Sequence, residues 1–243
     1  MKELQSKQHD DLLLVLATDL DGTLVGDPAA LAELNSWLAL RHQQVFLIYL
    51  TGRHTLSALD LIGKEALLVP DVLVADVGTI IRYRPRFRRD RAWESRFVDC
   101  WNGKKIEEIA AGIPGLSPQR IRSPWRRSYH LEEEEALTLL VKALSCLAVR
   151  VVVTGRNVDV IPTVAGKGPA LRYLVSCLNL PSEKVFVCGD DGNDLDMLQL
   201  NYRGVLVANS SLPPSLLPPT IYRASKPHAA GILEALHYFG IAP

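Results

Sequence analysis

Residues Asp19-Leu-Asp-Gly-Thr23 follow an apolar run, Leu12-Leu-Leu-Val-Leu-Ala17, and precede a helix-like segment. The run is too short to span a bilayer and, closed by the turn signal at Gly22, reads as a buried strand. Two carboxylates then stand at the C-terminal end of a strand, where open α/β sheets build their sites. Side chains two residues apart on an extended backbone point the same way. One carboxylate can act as a nucleophile and the other as a proton donor, and together they invite a hard cation. A helix N-cap on a tight turn accounts for the same residues, so the motif needs support from elsewhere in the chain.

The chain has 243 residues, 48% of them hydrophobic, with 27 basic and 27 acidic residues. That suits one large or two small domains with ample material for a core. A net charge of zero argues against a dedicated nucleic-acid or membrane-surface binder. Cys100, Cys146, Cys177 and Cys188 lack C-x-x-C spacing. They speak against a zinc site or a disulfide framework and suit a reducing, cytoplasmic compartment. The polar first ten residues read as a loose tail without signal-peptide character.

Beyond Asp21, Asp27-Pro28 caps a helix that runs to about Leu40. Val45 to Leu50 is a second buried strand ending in Thr51-Gly52-Arg53, His54 to Ala66 is helix-like, and Val72 to Ala75 is a third strand before Asp76-Val-Gly-Thr79. This rhythm predicts a parallel sheet with crossover helices. It then breaks. An arginine-rich stretch, Arg82 to Arg91, reads as a solvated hairpin balanced by the acidic segment Glu132 to Glu135, with binding of an anionic partner as the rival reading. Helices at Lys104 to Ala111 and Glu132 to Leu147 and strands at Arg126 to Leu131, Val149 to Val153 and Asn157 to Ile161 form an inserted α+β module. The βα rhythm returns with helix Lys167 to Leu178, strand Lys184 to Cys188, the turn Gly189-Asp190-Asp191-Gly192-Asn193-Asp194, helix Leu195 to Leu200, strand Val205 to Val207 and a final amphipathic helix, His228 to Phe239.

Asp19/Asp21, Thr51, Lys167 and Asp190/Asn193/Asp194, in this order at strand ends and helix starts, resemble the haloacid-dehalogenase (HAD) superfamily of phosphatases. The resemblance covers essentially the whole chain. It implies an α/β fold: a HAD-like Rossmannoid parallel-sheet core, residues 1–82 and 163–243, with an α+β cap of type IIB inserted at 83–162. It also implies that Asp19 attacks phosphorus to give an aspartyl-phosphate, and that Asp21 protonates the leaving oxygen and then activates water. Mg²⁺ would be held by Asp19, the backbone carbonyl at Asp21, and Asp190, with Asp194 acting through water or from behind these ligands. Thr51 would offer a hydroxyl and a backbone N–H to the phosphoryl oxygens, Lys167 would neutralise them, and Asn193 would orient nearby groups. Asp191 departs from the small or neutral residue of that pattern and is either a solvent-facing spectator or a perturbation of the site.

Pro124-Trp125-Arg126-Arg127-Ser128-Tyr129-His130, Asn157-Val158-Asp159-Val160-Ile161-Pro162, Gly166-Lys167-Gly168 and Pro227-His228 resemble the sucrose-phosphate phosphatases of cyanobacteria and plants, which implies hydrolysis of sucrose 6-phosphate. Arg156 and Asn157 depart from the Lys-Asp pair of that group. Tyr129, His130, Asn157 and Asp159 are candidate readers of the sugar, although each serves equally as a structural polar residue of the cap. Trp125 is either a sugar platform or a core aromatic. Arg53 is placed to touch substrate or to brace its loop, and Gly78-Thr79 would let backbone approach a ligand. The rival substrates are mannosyl-3-phosphoglycerate and glucosylglycerol phosphate. The rival class is a non-catalytic partner docked on a sucrose-phosphate synthase. A monomer without nucleic-acid or membrane partners is expected.

Overall fold

The computed structural model describes residues 11–121 and 123–242, so the expected tail lies outside the described residues. β1 (Leu14–Thr18), α1 (Pro28–Leu40), β2 (Val45–Leu50), α2 (Thr55–Lys64) and β3 (Val72–Ala75) alternate as the apolar runs dictate. A hairpin, β4 (Ile80–Tyr83) and β5 (Arg88–Arg89), and a short helix, α3 (Arg91–Ser95), come next. The middle of the chain contains α4 (Gly103–Ala110), β6 (Leu116–Pro118), β7 (Arg127–Leu131), α5 (Glu134–Ala143), β8 (Val149–Thr154) and β9 (Asn157–Pro162). The chain closes with α6 (Lys167–Cys177), β10 (Val185–Gly189), α7 (Leu195–Leu198), β11 (Arg203–Leu206), β12 (Ile221–Arg223) and α8 (His228–Tyr238).

The large sheet has the order β12-β11-β10-β1-β2-β3-β4-β5, and only β4 and β5 run antiparallel to their neighbours. Strand β1 is central because both of its faces are apolar. Leu14 and Leu16 pack on the α1, α2 and α8 side, and Val15 and Ala17 on the α6 and α7 side, every one of them fully buried. The chain leaves β1 toward β2 and later returns on the other side at β10. The ends of β1, β2 and β10 therefore meet at the point where strand order reverses, which is where a crevice forms in such sheets. The sharp start of α1 is local: the Asp27 carboxylate accepts from the Ala29 and Ala30 N–H groups, and Pro28 opens the first turn.

The small sheet, β6-β7-β9-β8, is antiparallel throughout. Helices α4 and α5 cover one of its faces through Ile106, Ala110, Leu140, Val158 and Val160. Alternation sends Val152 and Ile161 the other way, into the core of the large sheet. Arg150 on β8 is tied to Asp196 on α7 at 2.7 Å, and the same carboxylate accepts from the Gly168 N–H at 2.9 Å. Residues 83 to 97, expected in the insert, instead complete the large sheet. β5 pairs with β4, while Trp93 and Phe97 are fully buried in the main core. We propose a cap boundary after Phe97. The carboxylates that meet the arginine-rich hairpin are Asp71, 2.9 Å from Arg84, and Glu94, paired with Arg89, rather than the exposed Glu132 to Glu135 segment.

Candidate active site

Strand β1 hands the backbone to Asp19, whose N–H still donates to the Cys188 carbonyl of the neighbouring strand at 3.0 Å. That bond fixes Asp19 beside the loop after β10. There Asp190, Asp194 and Asp19 each place a carboxylate oxygen within 4.8 Å of the others. Asp19 and Asp194 are buried, and Asp190 is half-buried. Lys167, at the start of α6 and fully buried, reaches into this cluster. Its Nζ donates to Asp19 Oδ1 at 2.5 Å, to Asp194 Oδ1 at 2.7 Å and to Asn193 Oδ1 at 3.1 Å.

These groups perturb one another. Burial, reinforced by Asp194 and Asp190, pushes the Asp19 carboxyl well up against the opposing pull of Lys167. Burial and the nearby Asp194 lift Asp190 to about 6. Burial draws the Lys167 ammonium down, but the Asp19 and Asp194 carboxylates outweigh it and its pKa is raised. Three crowded carboxylates facing one ammonium carry surplus negative charge, and the donors are all hard oxygens. That composition fits a divalent cation of the Mg²⁺ kind. Asp194 is already engaged: its Oδ2 accepts from the Asp190 and Asp191 N–H groups at 3.0 and 3.2 Å, while Oδ1 takes Lys167. It orients the loop, which leaves Asp19 and Asp190 as the freer ligands. Asp190 is steadied by the Thr23 hydroxyl at 2.8 Å. Gly22, at φ +79°, lies so close that a Cβ there would stand 2.3 Å from Asp190 Oδ2.

Asp21 is not part of the three-carboxylate cluster. Arg53 grips it with two bonds of 2.7 Å, so the carboxylate stands at the mouth of the crevice rather than within the cluster. Thr51 is fully buried at the end of β2. The expectation that its N–H serves a phosphoryl group is corrected. Thr51 is still in the ladder, and its N–H donates to the Val74 carbonyl at 2.8 Å. Its hydroxyl oxygen accepts from the Arg53 N–H at 3.1 Å, and the next amide, Gly52, has no partner among the described residues.

A cavity of about 320 Å³ lies over this cluster. Asp19, Asp21, Gly52, Arg53, Asp190 and Asn193 line it from the large sheet, and Asn157 and Asp159 line it from the cap. Two of the expected readers, Tyr129 and His130, stand elsewhere, as do Gly78, Thr79 and Trp125. Tyr129 is on the helix-covered face of the cap sheet, one residue out of phase with Ser128, and is buried among apolar side chains. His130 is exposed and outside the cavity lining. Gly78, at φ +85°, approaches backbone as expected, but the backbone is Gly166, 2.1 Å from where a Cβ would sit. Buried Thr79 turns its hydroxyl to the Asp76 carbonyl at 2.9 Å. Trp125 is a core aromatic: it packs edge-on to Phe97 and donates to Glu94 at 3.0 Å. Asp191 caps the turn that follows it, accepting from the Gly192 N–H at 2.6 Å, and it also borders the cavity.

Sequence reading passes over Gln119, Ile121, Arg126 and Thr154 as cavity-lining residues. Gln119 donates to Asn157 Oδ1 at 2.8 Å. No motif marks Gln119 or Thr154. Arg126 lies just before β7, within the cap stretch Pro124 to His130, and no local signal marks it as reaching the large sheet.

The sequence matches the family described as Sucrose-6F-phosphate phosphohydrolase over residues 12–240. The chain is 31% identical to Sucrose-phosphatase 1 of Nicotiana tabacum over 95% of its own length, and it spans 60% of the length of that plant protein. It is 30% identical to the Mannosylfructose-phosphate phosphatase of Agrobacterium fabrum, over 95% of this chain and 98% of that one. The crystal structure of a sucrose-phosphatase from Synechocystis, in complex with sucrose and phosphate, superposes with a TM-score of 0.88 at 34% identity, over 94% of this chain and 98% of that one. The large parallel sheet with its four-stranded insert is the HAD subclass IIB architecture. The chain belongs to the sucrose-6F-phosphate phosphohydrolase family.

Proposed function

We propose that the chain is a Mg²⁺-dependent phosphatase that hydrolyses sucrose 6-phosphate to sucrose and phosphate. The observation that supports this best is the meeting of Asp19, Asp190, Asp194 and Lys167 from distant parts of the chain beneath a polar cavity. With Asp19 Oδ1 held by Lys167, the second oxygen attacks phosphorus. An O–P bond forms to Asp19, the bond to the sugar oxygen breaks, and that oxygen takes a proton from Asp21. Asp21 then takes a proton from water, which attacks the same phosphorus and restores the Asp19 carboxylate. A divalent ion, when bound by Asp19 and Asp190, neutralises the repulsion between carboxylate and phosphate dianion. Lys167, the Gly52 N–H and the Thr51 hydroxyl stabilise the developing charge. Arg53 grips Asp21, and an arriving phosphate competes for the same guanidinium fork, which frees Asp21 to serve the leaving group.

The sugar is read from the cap, where Asn157 and Asp159 offer acceptors to hydroxyl groups. The Synechocystis sucrose-phosphatase at 34% identity supports sucrose 6-phosphate. The Agrobacterium relative favours a second reading, in which another glycosyl phosphate such as mannosylfructose phosphate, mannosyl-3-phosphoglycerate or glucosylglycerol phosphate is preferred. The scattered free cysteines suit a reducing cytoplasm. Among the described residues no helix is long and apolar enough to cross a membrane. Association with a sucrose-phosphate synthase is a further proposal that supplies the substrate directly. The test is phosphate release across these esters with Mg²⁺ and with a chelator. The highest kcat/KM on sucrose 6-phosphate supports the assignment, a clear preference for another ester replaces it, and no release from any ester overturns the phosphatase reading.

A further inference from the structure

Arg126 immediately precedes β7 in the cap, yet only 3% of its side chain is exposed. Its guanidinium crosses to the large sheet. Nη1 donates to the Gly52 carbonyl at 2.5 Å, and Nη2 lies 3.2 Å from the Asp76 carboxylate in the loop after β3. Nε faces cap Asp159 at 3.8 Å and has no hydrogen-bond partner of its own. Asp159 Oδ1 accepts from the Ser128 hydroxyl at 2.5 Å and borders the cavity where the sugar is expected. A single buried cation thus hydrogen-bonds the Gly52 carbonyl and lies against a core carboxylate and a cap carboxylate. The cap is pressed down at this point: a Cβ on Gly192, in the loop carrying Asp190, would stand 2.5 Å from the Val153 carbonyl of β8.

We propose that Arg126 is a positioning residue that couples leaving-group binding at Asp159 to the placement of the Gly52 amide against the phosphoryl group. This deepens the phosphatase reading and rests on it. Asp159 and Arg126 share one cluster, so a sugar that engages Asp159 sets the guanidinium. The guanidinium in turn holds the Gly52 carbonyl, and so fixes the residue whose N–H, in the peptide before that carbonyl, borders the cavity. An ester too small to reach Asp159 gains nothing from this arrangement, because its remote binding energy is absent.

The test compares Arg126→Met and Arg126→Lys with the wild type on sucrose 6-phosphate and on p-nitrophenyl phosphate, alongside amide hydrogen exchange resolved to segments. Arg126→Met is expected to lose roughly 10²-fold in kcat on the sugar ester, as misplacement of reacting groups does. The loss on the small ester, which cannot engage Asp159, should be at least about tenfold smaller. Lysine keeps the charge but not the fork and should fall between. Exchange should rise at 50–54 and 76–79 while α1 and α8 keep their protection. Equal losses on both esters, unchanged turnover of the sugar ester, or exchange that rises uniformly through the chain would each overturn the proposal. If Arg126→Met does not fold, Arg126→Lys and its exchange pattern decide alone. If the wild type cleaves no ester, the phosphatase reading fails, and local exchange still judges the coupling between Arg126 and its loop.

Discussion

Lys167 is the side chain on which the buried charges depend. It is fully inaccessible, yet its ammonium bonds to two carboxylates and an amide oxygen. Removing one partner of such a cluster leaves the others buried and uncompensated, which typically costs several kcal/mol. Lys167→Met is expected to lower unfolding free energy by about 3 kcal/mol, with Mg²⁺ restoring part of it, as urea titrations with and without the ion would show. Asp19→Asn should behave oppositely, because it relieves crowding among three carboxylates. It should leave the melting temperature near wild type while kcat falls by more than about 10³-fold. A large drop in melting temperature for Asp19→Asn would place the residue in a structural role. Asp19, Lys167 and Asp190 were legible in sequence because each sits at the end of an apolar run or the start of a helix. Arg126 was not, since its function depends on which part of the large sheet the cap lies against, and no local pattern encodes that.

The elements that were easy to read are those whose apolar runs are buried on both faces: β1, β2, β3 and β10. The β4–β5 hairpin was harder. It lies at the sheet edge, carries alternating arginines and Pro85, and gains its place through β3 pairing and the packing of Trp93, neither of which has a short-range signal. The turn at Gly78 shows a similar limit. Its glycine reads as room for a ligand, but the space is taken by the Gly166 backbone, where the second cap linker meets α6. Gly78→Ala combines a positive φ with that clash and is expected to cost about 2 kcal/mol or more in stability. It should alter KM only as far as the cap linker moves. Equal stability of the variant by thermal and urea unfolding would contradict this packing.

Across the whole molecule, the crowded carboxylates of the candidate site are expected to weaken the fold in the absence of a cation. Asp190 is raised to about 6, above its ordinary value of 3.8, and Asp19 is raised as well. A carboxyl whose folded pKa lies above its unfolded one contributes stability only while protonated. In chelator, stability should therefore fall as pH rises from about 4 through about 6, the range set by Asp190. Added Mg²⁺ competes with those protons, so the rise in melting temperature that it causes should be larger near neutral pH than at about pH 5. A Mg²⁺ shift independent of pH would mean that the ion binds elsewhere. The chemistry assigned to this arrangement is the transfer of phosphorus to Asp19. Its most direct test is an acid quench during turnover of a sugar ester carrying radiolabelled phosphate, followed by peptide mapping. Label on the peptide containing Asp19, lost in Asp19→Asn and in chelator, is the predicted result; phosphate release with no labelled protein, or with label on another residue, would contradict it.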